Sequence, residues 1–186
     1  MAARLARRPL TPLRLVSLPA LLVAAALGSP LAAAQAAKSE PLHPLAFLAG
    51  SCWAGPAPGG KGTDTHCFEW VFDGRFLRDH HVVRGAAGPY EGETLYAWNP
   101  EAERIVYTYW ASDGGYSTGT VEAREGELLF VDHYVSSEAV LDLQSSWRRS
   151  GGDEYGVEVR SREGEGWKPM WTTRMRRVID AAQRPR

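Results

Sequence analysis

Residues 104–135 read RIVYTYWASDGGYSTGTVEAREGELLFVDHYV, and this stretch decides the fold class. Aromatic and β-branched residues crowd 104–110 and 128–135, the breaks Asp113-Gly114 and Glu125-Gly126 stand between, and no apolar period of 3.6 runs across them. Three strands joined by two tight turns follow. Outward from this stretch the same beat continues, with turn signals at Gly59-Gly60, Asp73-Gly74, 85–88, Asn99-Pro100, Ser136-Ser137, Gly151-Gly152 and Gly164. Nine turns divide the chain into ten segments, so the protein is read as all-β. Residues 43–49 leave room for one short helical turn ahead of the first strand, and 178–186 read as a polar tail. No motif repeats with the beat, which disfavours a propeller or solenoid.

Short, even connections make sequence neighbours sheet neighbours, and ten strands in a meander expose two edges unless the sheet closes. An antiparallel up-and-down barrel over 45–177 is the expected architecture, with a two-sheet sandwich as the alternative. A hairpin centred on Asp73-Gly74 sets residues summing to 147 opposite each other, placing Glu69 across from Arg78 and His66 across from His81. Centring the first hairpin on Gly59-Gly60 sets Cys52 across from Cys67.

The 36 N-terminal residues differ from the rest. Arg4, Arg7, Arg8 and Arg14 introduce an apolar run over 15–27, and no acidic residue precedes Glu40. The run contains Pro19 and is shorter than the about 20 residues of a spanning helix. Small-x-small patterns end at Ala34 and Ala36, so 1–36 is read as a signal peptide cleaved after one of them, followed by a linker over 37–44. A periplasmic or secreted location is expected, without stable membrane insertion. The two cysteines of the chain then reach an oxidising compartment at matching strand positions, and a Cys52–Cys67 disulfide is expected. Loss of four arginines and no acids leaves 17 basic against 22 acidic side chains, a net charge of −5. That sign excludes a phosphate-tracking nucleic-acid surface.

The run Leu45-Ala46-Phe47-Leu48-Ala49-Gly50-Ser51-Cys52-Trp53-Ala54-Gly55, an apolar turn leading into Gly and then Trp on the first strand, resembles the opening of calycin barrels. Phe72-Asp73-Gly74-Arg75-Phe76-Leu77 and Ala97-Trp98-Asn99-Pro100 resemble bacterial secreted lipocalin-like domains of unassigned function. The resemblance spans roughly 45–177 and implies a calycin-like β-barrel. Two departures qualify it: the usual Gly-x-Trp is one residue longer in Gly50-Ser51-Cys52-Trp53, and no histidine follows His133, so the late-strand haem ligand of nitrobindin-like domains has no counterpart. No cofactor is assigned.

Alternation gives the second and third strands an apolar face of His66, Phe68, Trp70 and Phe72 with Leu77, Asp79, His81 and Val83, expected to point inward. His66, Asp79 and His81 then meet inside the barrel, where two imidazoles and a carboxylate can orient a polar ligand, do acid–base work or bind an ion. No close-spaced metal-ligand motif accompanies them, and no metal is assigned. Two-residue turns at Asp113-Gly114 and Glu125-Gly126 group Val106, Thr108, Trp110, Ser117, Gly119, Val121, Leu128, Phe130, Asp132 and Tyr134 on a second inward face. Tyr107, Tyr109, Tyr116 and His133 are then exterior. Trp167, Trp171 and Met175 are expected to alternate inward on the last strand. The candidate ligand-binding residues are thus His66, Trp70, Asp79, His81, Trp110, Asp132 and Tyr134. Nucleophile-elbow, Walker and dinucleotide motifs are missing. Three readings remain: a barrel binding a small apolar or amphipathic ligand, a small hydrolase or isomerase working in the cup, and an envelope interaction protein with a plugged barrel.

Overall fold

The computed structural model describes residues 40–85 and 90–178; the signal-peptide assignment, residues 37–39 of the linker and the tail beyond Val178 lie outside the described residues. A 3-10 turn, Glu40–Leu45, precedes ten strands: β1 Ser51–Pro56, β2 Thr63–Val71, β3 Phe76–Arg84, β4 Tyr90–Asn99, β5 Arg104–Ala111, β6 Tyr116–Arg124, β7 Glu127–Val135, β8 Val140–Arg149, β9 Glu154–Glu163 and β10 Gly166–Arg177. Each strand pairs antiparallel with the next, and β1 closes on β10 through Trp53 opposite Arg177 and Ala54 opposite Arg176. The result is a closed up-and-down barrel, in which every long edge is paired. Among the described residues no helix is long and apolar enough to cross a membrane.

One end of the barrel is sealed. Leu42 and Leu45 of the 3-10 turn and Leu48 just after it are at most 1% exposed and pack with Trp53, Phe68, Leu77, Ile105, Val121 and Leu128. The stretch 40–44, read as linker, therefore contributes part of the plug. Above the plug lies an aromatic layer in which Tyr96, Tyr107, Phe130, Trp147 and Tyr155 contact one another in sequence, with ring centroids 4.5 to 6.0 Å apart. Arrangements of this kind favour edge-on and offset contacts over face-to-face sandwiches.

Registers on β1–β2, β2–β3 and β6–β7 follow the sequence reading: Cys52 faces Cys67, His66 faces His81, Glu69 faces Arg78 and Val121 faces Phe130. Cys52 and Cys67 form a disulfide with Cα atoms 4.0 Å apart. The Cys52 carbonyl accepts from Val178 N–H on the side away from β2. The Cys52–Cys67 pair is accordingly the non-hydrogen-bonded kind, which brings Cα atoms closest in an antiparallel sheet.

Three orientations differ from the sequence reading. The β5–β6 loop is Ser112-Asp113-Gly114, three residues with Gly114 at φ 86°, closed by Ala111 N–H on Gly115 O. A three-residue loop of this type ends on a left-handed glycine, and it shifts the pairing by one residue from that of a two-residue turn. Trp110 now faces Tyr116 and Tyr109 faces Ser117, so every β5 side chain exchanges faces. Trp110 is half exposed on the outer wall, while Tyr107 is buried and Tyr109 points into the lumen. Phe72 leaves β2 for a four-residue loop with φ 50° and is exposed. On β10 the register shifts between Pro169, which has no N–H to donate, and Trp171. Trp171 faces Val159, whereas Trp167 faces Arg162, whose guanidinium lies 5.3 Å from its ring, away from the core.

Candidate functional site

The end opposite the plug holds a cavity of about 340 Å³, floored by the aromatic layer and walled by Leu141, Leu143, Val157, Val159 and Trp171. Glycines set two of its tyrosines. A Cβ on Gly92 would stand 2.4 Å from the Tyr109 ring and one on Gly119 2.6 Å from the Tyr107 ring, so the rings lie directly on neighbouring backbone.

Polar groups enter from two strand pairs. Inward positions of β2 and β3 supply Asp64, His66, Asp79 and His81, all lining the cavity. His66 donates from Nδ1 to Asp79 Oδ2 at 2.7 Å, and its Nε2 lies 3.2 Å from Asp64 Oδ2. The His81 ring is 4.6 Å from His66, centroid to centroid, and stacks on Tyr90 and Tyr109, whose hydroxyls bond each other. Around the ring of strands β7 stands five places from β2, and Asp132 enters there, hydrogen-bonded by Ser117 and Tyr107. Tyr134, on the same face of β7, also lines the cavity.

The structure therefore gathers His66, Asp79, His81, Asp132 and Tyr134 in one cavity and leaves two sequence candidates outside it. Trp70 keeps its inward parity but packs against the sealed core below the cavity floor, and Trp110 is on the outer wall. Asp64, Tyr90 and Tyr109 were not among the candidates. Asp64 was within reach of sequence reasoning, since it lies two residues before His66 on the same inward alternation. Tyr109 was hidden by the β5 register. His133, read as a surface residue, is exposed and bonded to Asp142 at 2.7 Å.

Burial and charge set the protonation of this cluster. Burial disfavours a charge on His66, yet the carboxylates of Asp79 and Asp64 outweigh it and raise His66 well above the usual histidine value. Burial, and then the charge on His66, lower His81 to about 4. Burial raises Asp64, but His66 more than offsets this and its net shift is downward. Burial pushes Asp132 up, against the opposing hydrogen bonds from Ser117 and Tyr107 and the weaker pull of His133. The two histidines act oppositely on stability. His66 contributes stabilisation that is complete below about pH 6.5 and is lost as the pH rises through its folded value. His81 costs stability as the pH falls from about 6.5 toward 4, because the unfolded chain binds a proton that the folded imidazole refuses. In an NMR titration with chelator present, one imidazole of the pair is expected to titrate above 6.5 and the other near 4. Two titrations near 6.5 would mean that the cluster is open to water.

Among the described residues, Asp64, His66 and His81 form a group able to hold a metal ion, each offering one ligand atom within 4.8 Å of the others. His66, oriented by Asp79, and His81, whose Nε2 has no hydrogen-bond partner, both line the cavity, where imidazoles can exchange protons with a bound molecule. No protein-family model matches the chain, and no curated protein matches it.

Proposed function

We propose that the protein is an exported calycin-like barrel that takes up one small, mostly apolar or amphipathic molecule, its polar end against Asp64, His66, Asp79 and His81. One observation carries this reading: an aromatic-walled cavity of about 340 Å³ ends at a cluster in which Asp64 Oδ1, Asp79 Oδ1 and His81 Nε2 are buried without a protein partner. Ligand sites combine such apolar walls with a few converging polar groups. A plugged interaction barrel would lack this space. The leader pattern and the disulfide support export, and N-terminal sequencing of the native protein is expected to begin at Gln35 or Ala37.

Trp147 and Trp171 line the cavity, so their emission reports on its contents. Titration with fatty acids, retinoids and haem is expected to shift that emission for at least one class. The same ligand should raise the melting temperature, by about 2.7 kcal/mol of stabilisation at a hundredfold excess over Kd. Ser145→Phe, which fills the cavity from β8, should weaken binding while far-UV circular dichroism stays unchanged. A panel that moves neither emission nor melting would sink the binding reading.

A second reading, a hydrolase or isomerase in the same cup, is favoured by the convergence of His66, Asp79 and His81, with Asp79 fixing the orientation of His66. It requires that His66→Gln abolish turnover of a bound molecule while leaving its Kd within a few fold.

A further inference from the structure

We propose that Asp64, His66 and His81 form a binding site for one divalent transition-metal ion of the zinc class, with Asp79 as the carboxylate that orients His66. The proposal goes beyond the ligand reading and does not rest on it, since an ion can bind a barrel that takes no organic molecule.

Between His66 and Asp64 lies a gap that only a positive centre can fill. Asp79 accepts the Nδ1 proton of His66 at 2.7 Å, which leaves Nε2 to carry either a second proton or a metal ion. Nε2 faces Asp64 Oδ2 at 3.2 Å. Two electron-rich atoms hold this arrangement only around a positive centre, either a second proton on Nε2 or a metal ion. Metal–ligand bonds of about 2.0 to 2.1 Å at tetrahedral angles separate neighbouring ligand atoms by about 3.3 Å, close to the distance found. Asp79, His66 and an ion at Nε2 then make the carboxylate–histidine–metal relay that fixes tautomer and ring orientation in metal sites.

Asp64 and Asp79 are 9% and 2% exposed, and one oxygen of each has no protein partner; His81 Nε2 is likewise buried and unpartnered. Two buried carboxylates around a single shared imidazole leave negative charge uncompensated, which is costly in a low-dielectric interior. A divalent cation compensates it. The His81 ring is held in a stack with Tyr90 and Tyr109, and no two of the three ligand atoms are more than 4.8 Å apart. Bonds of about 2.0 to 2.1 Å cannot span the widest of these separations, so binding draws one imidazole toward the ion. Three protein ligands at the wall of the cavity leave further coordination positions facing the lumen, the arrangement that separates open sites from closed structural ones.

The test uses the tag-free mature chain and Zn²⁺ itself, by competition with a chromophoric chelator, alongside Co²⁺ absorption, which reports ligand geometry. One ion per chain is expected. Asp64→Asn and His81→Gln should each weaken binding about tenfold or more, and Asp79→Asn by about 10–100-fold. His133→Ala, which breaks the exposed pair with Asp142, should leave it unchanged. Melting curves of each variant show whether it folds, and the Co²⁺ spectrum of the unaltered protein tests the site even if one does not. Absence of stoichiometric Zn²⁺ binding would mean that a proton alone occupies the gap. Binding lost in His133→Ala but kept in Asp64→Asn and His81→Gln would move the ion to the surface and overturn the proposal.

Discussion

Replacing Trp53 by alanine is expected to remove about 3–5 kcal/mol of folding stability, a large part of the roughly 5–15 kcal/mol that holds a domain of this kind. The indole is 1% exposed and stands where the plug meets the first strand. Its edge-on contacts reach Phe47 at 6.1 Å and Tyr155 at 5.1 Å, its Nε1 donates to Leu48 O at 3.3 Å, and the Arg177 guanidinium lies 4.4 Å from its ring. Truncation opens a void that plug and sheet share, leaves the Leu48 carbonyl without that donor, and frees Arg177 from the face it covers. Trp53 also pairs with Arg177 at the β1–β10 closure, so the damage falls on the seam of the barrel. Urea unfolding at constant m reads the loss directly. Trp110→Ala is the matched comparison: on the outer wall and half exposed, it should change stability by no more than about 0.5 kcal/mol. Similar losses for the two would return β5 to the opposite register and dismantle the cavity wall as described.

That comparison also marks where the sequence stopped being legible. Alternation and turn spacing are local, and they were enough for ten strands, closure, and the pairings across β1–β2, β2–β3 and β6–β7. The β2–β3 loop has four residues, not two, yet it is symmetric about Asp73-Gly74, so the pairing sum survives. Ser112-Asp113-Gly114-Gly115 is different. Either glycine can take the left-handed position, and which one does decides whether the loop has an even or odd number of residues. An odd loop moves Tyr107 and Tyr109 inside and Trp110 outside, an outcome the neighbouring residues do not announce. Pro169 has the same effect on β10, where a bulge separates the parity of Trp167 from that of Trp171.

The cavity was beyond sequence reasoning for another reason. Whether a ten-stranded lumen is filled depends on volumes contributed by strands far apart in the chain, such as Trp171 on β10 and Leu143 on β8. The two tyrosines seated on Gly92 and Gly119 show how narrowly this is decided. The histidine cluster was legible because its geometry is local: β2 and β3 are adjacent, their register is fixed, and alternation places Asp64, His66, Asp79 and His81 on one face.

Reduction of the Cys52–Cys67 disulfide is expected to lower stability by about 3 kcal/mol, the chain-entropy value for a loop of this size, and melting by roughly 6–12 °C. The bond closes a loop of sequence separation 15 and joins adjacent strands that are already paired, so the native contacts survive its loss and the main effect falls on the unfolded chain. Native circular dichroism should therefore be unchanged at room temperature, while unfolding in the presence of reductant shifts to lower urea. Thiol titration of the unfolded, unreduced protein should find none. The staple has a second consequence, because Cys67 directly follows His66 and Cys52 directly precedes Trp53, the residue paired with His66. A one-residue slip of β2 against β1 would turn His66 and Asp64 to the outer surface together, and the covalent pair forbids that slip. Cys52→Ala/Cys67→Ala should therefore reproduce the stability loss of reduction and still bind at the cavity at room temperature, since β3 continues to fix the β2 register through nine pairings. Two free thiols in the unreduced chain would remove the covalent pin. A double variant as stable as the oxidised protein would show that the loop costs nothing to close and that β1–β2 pairing persists in the unfolded ensemble.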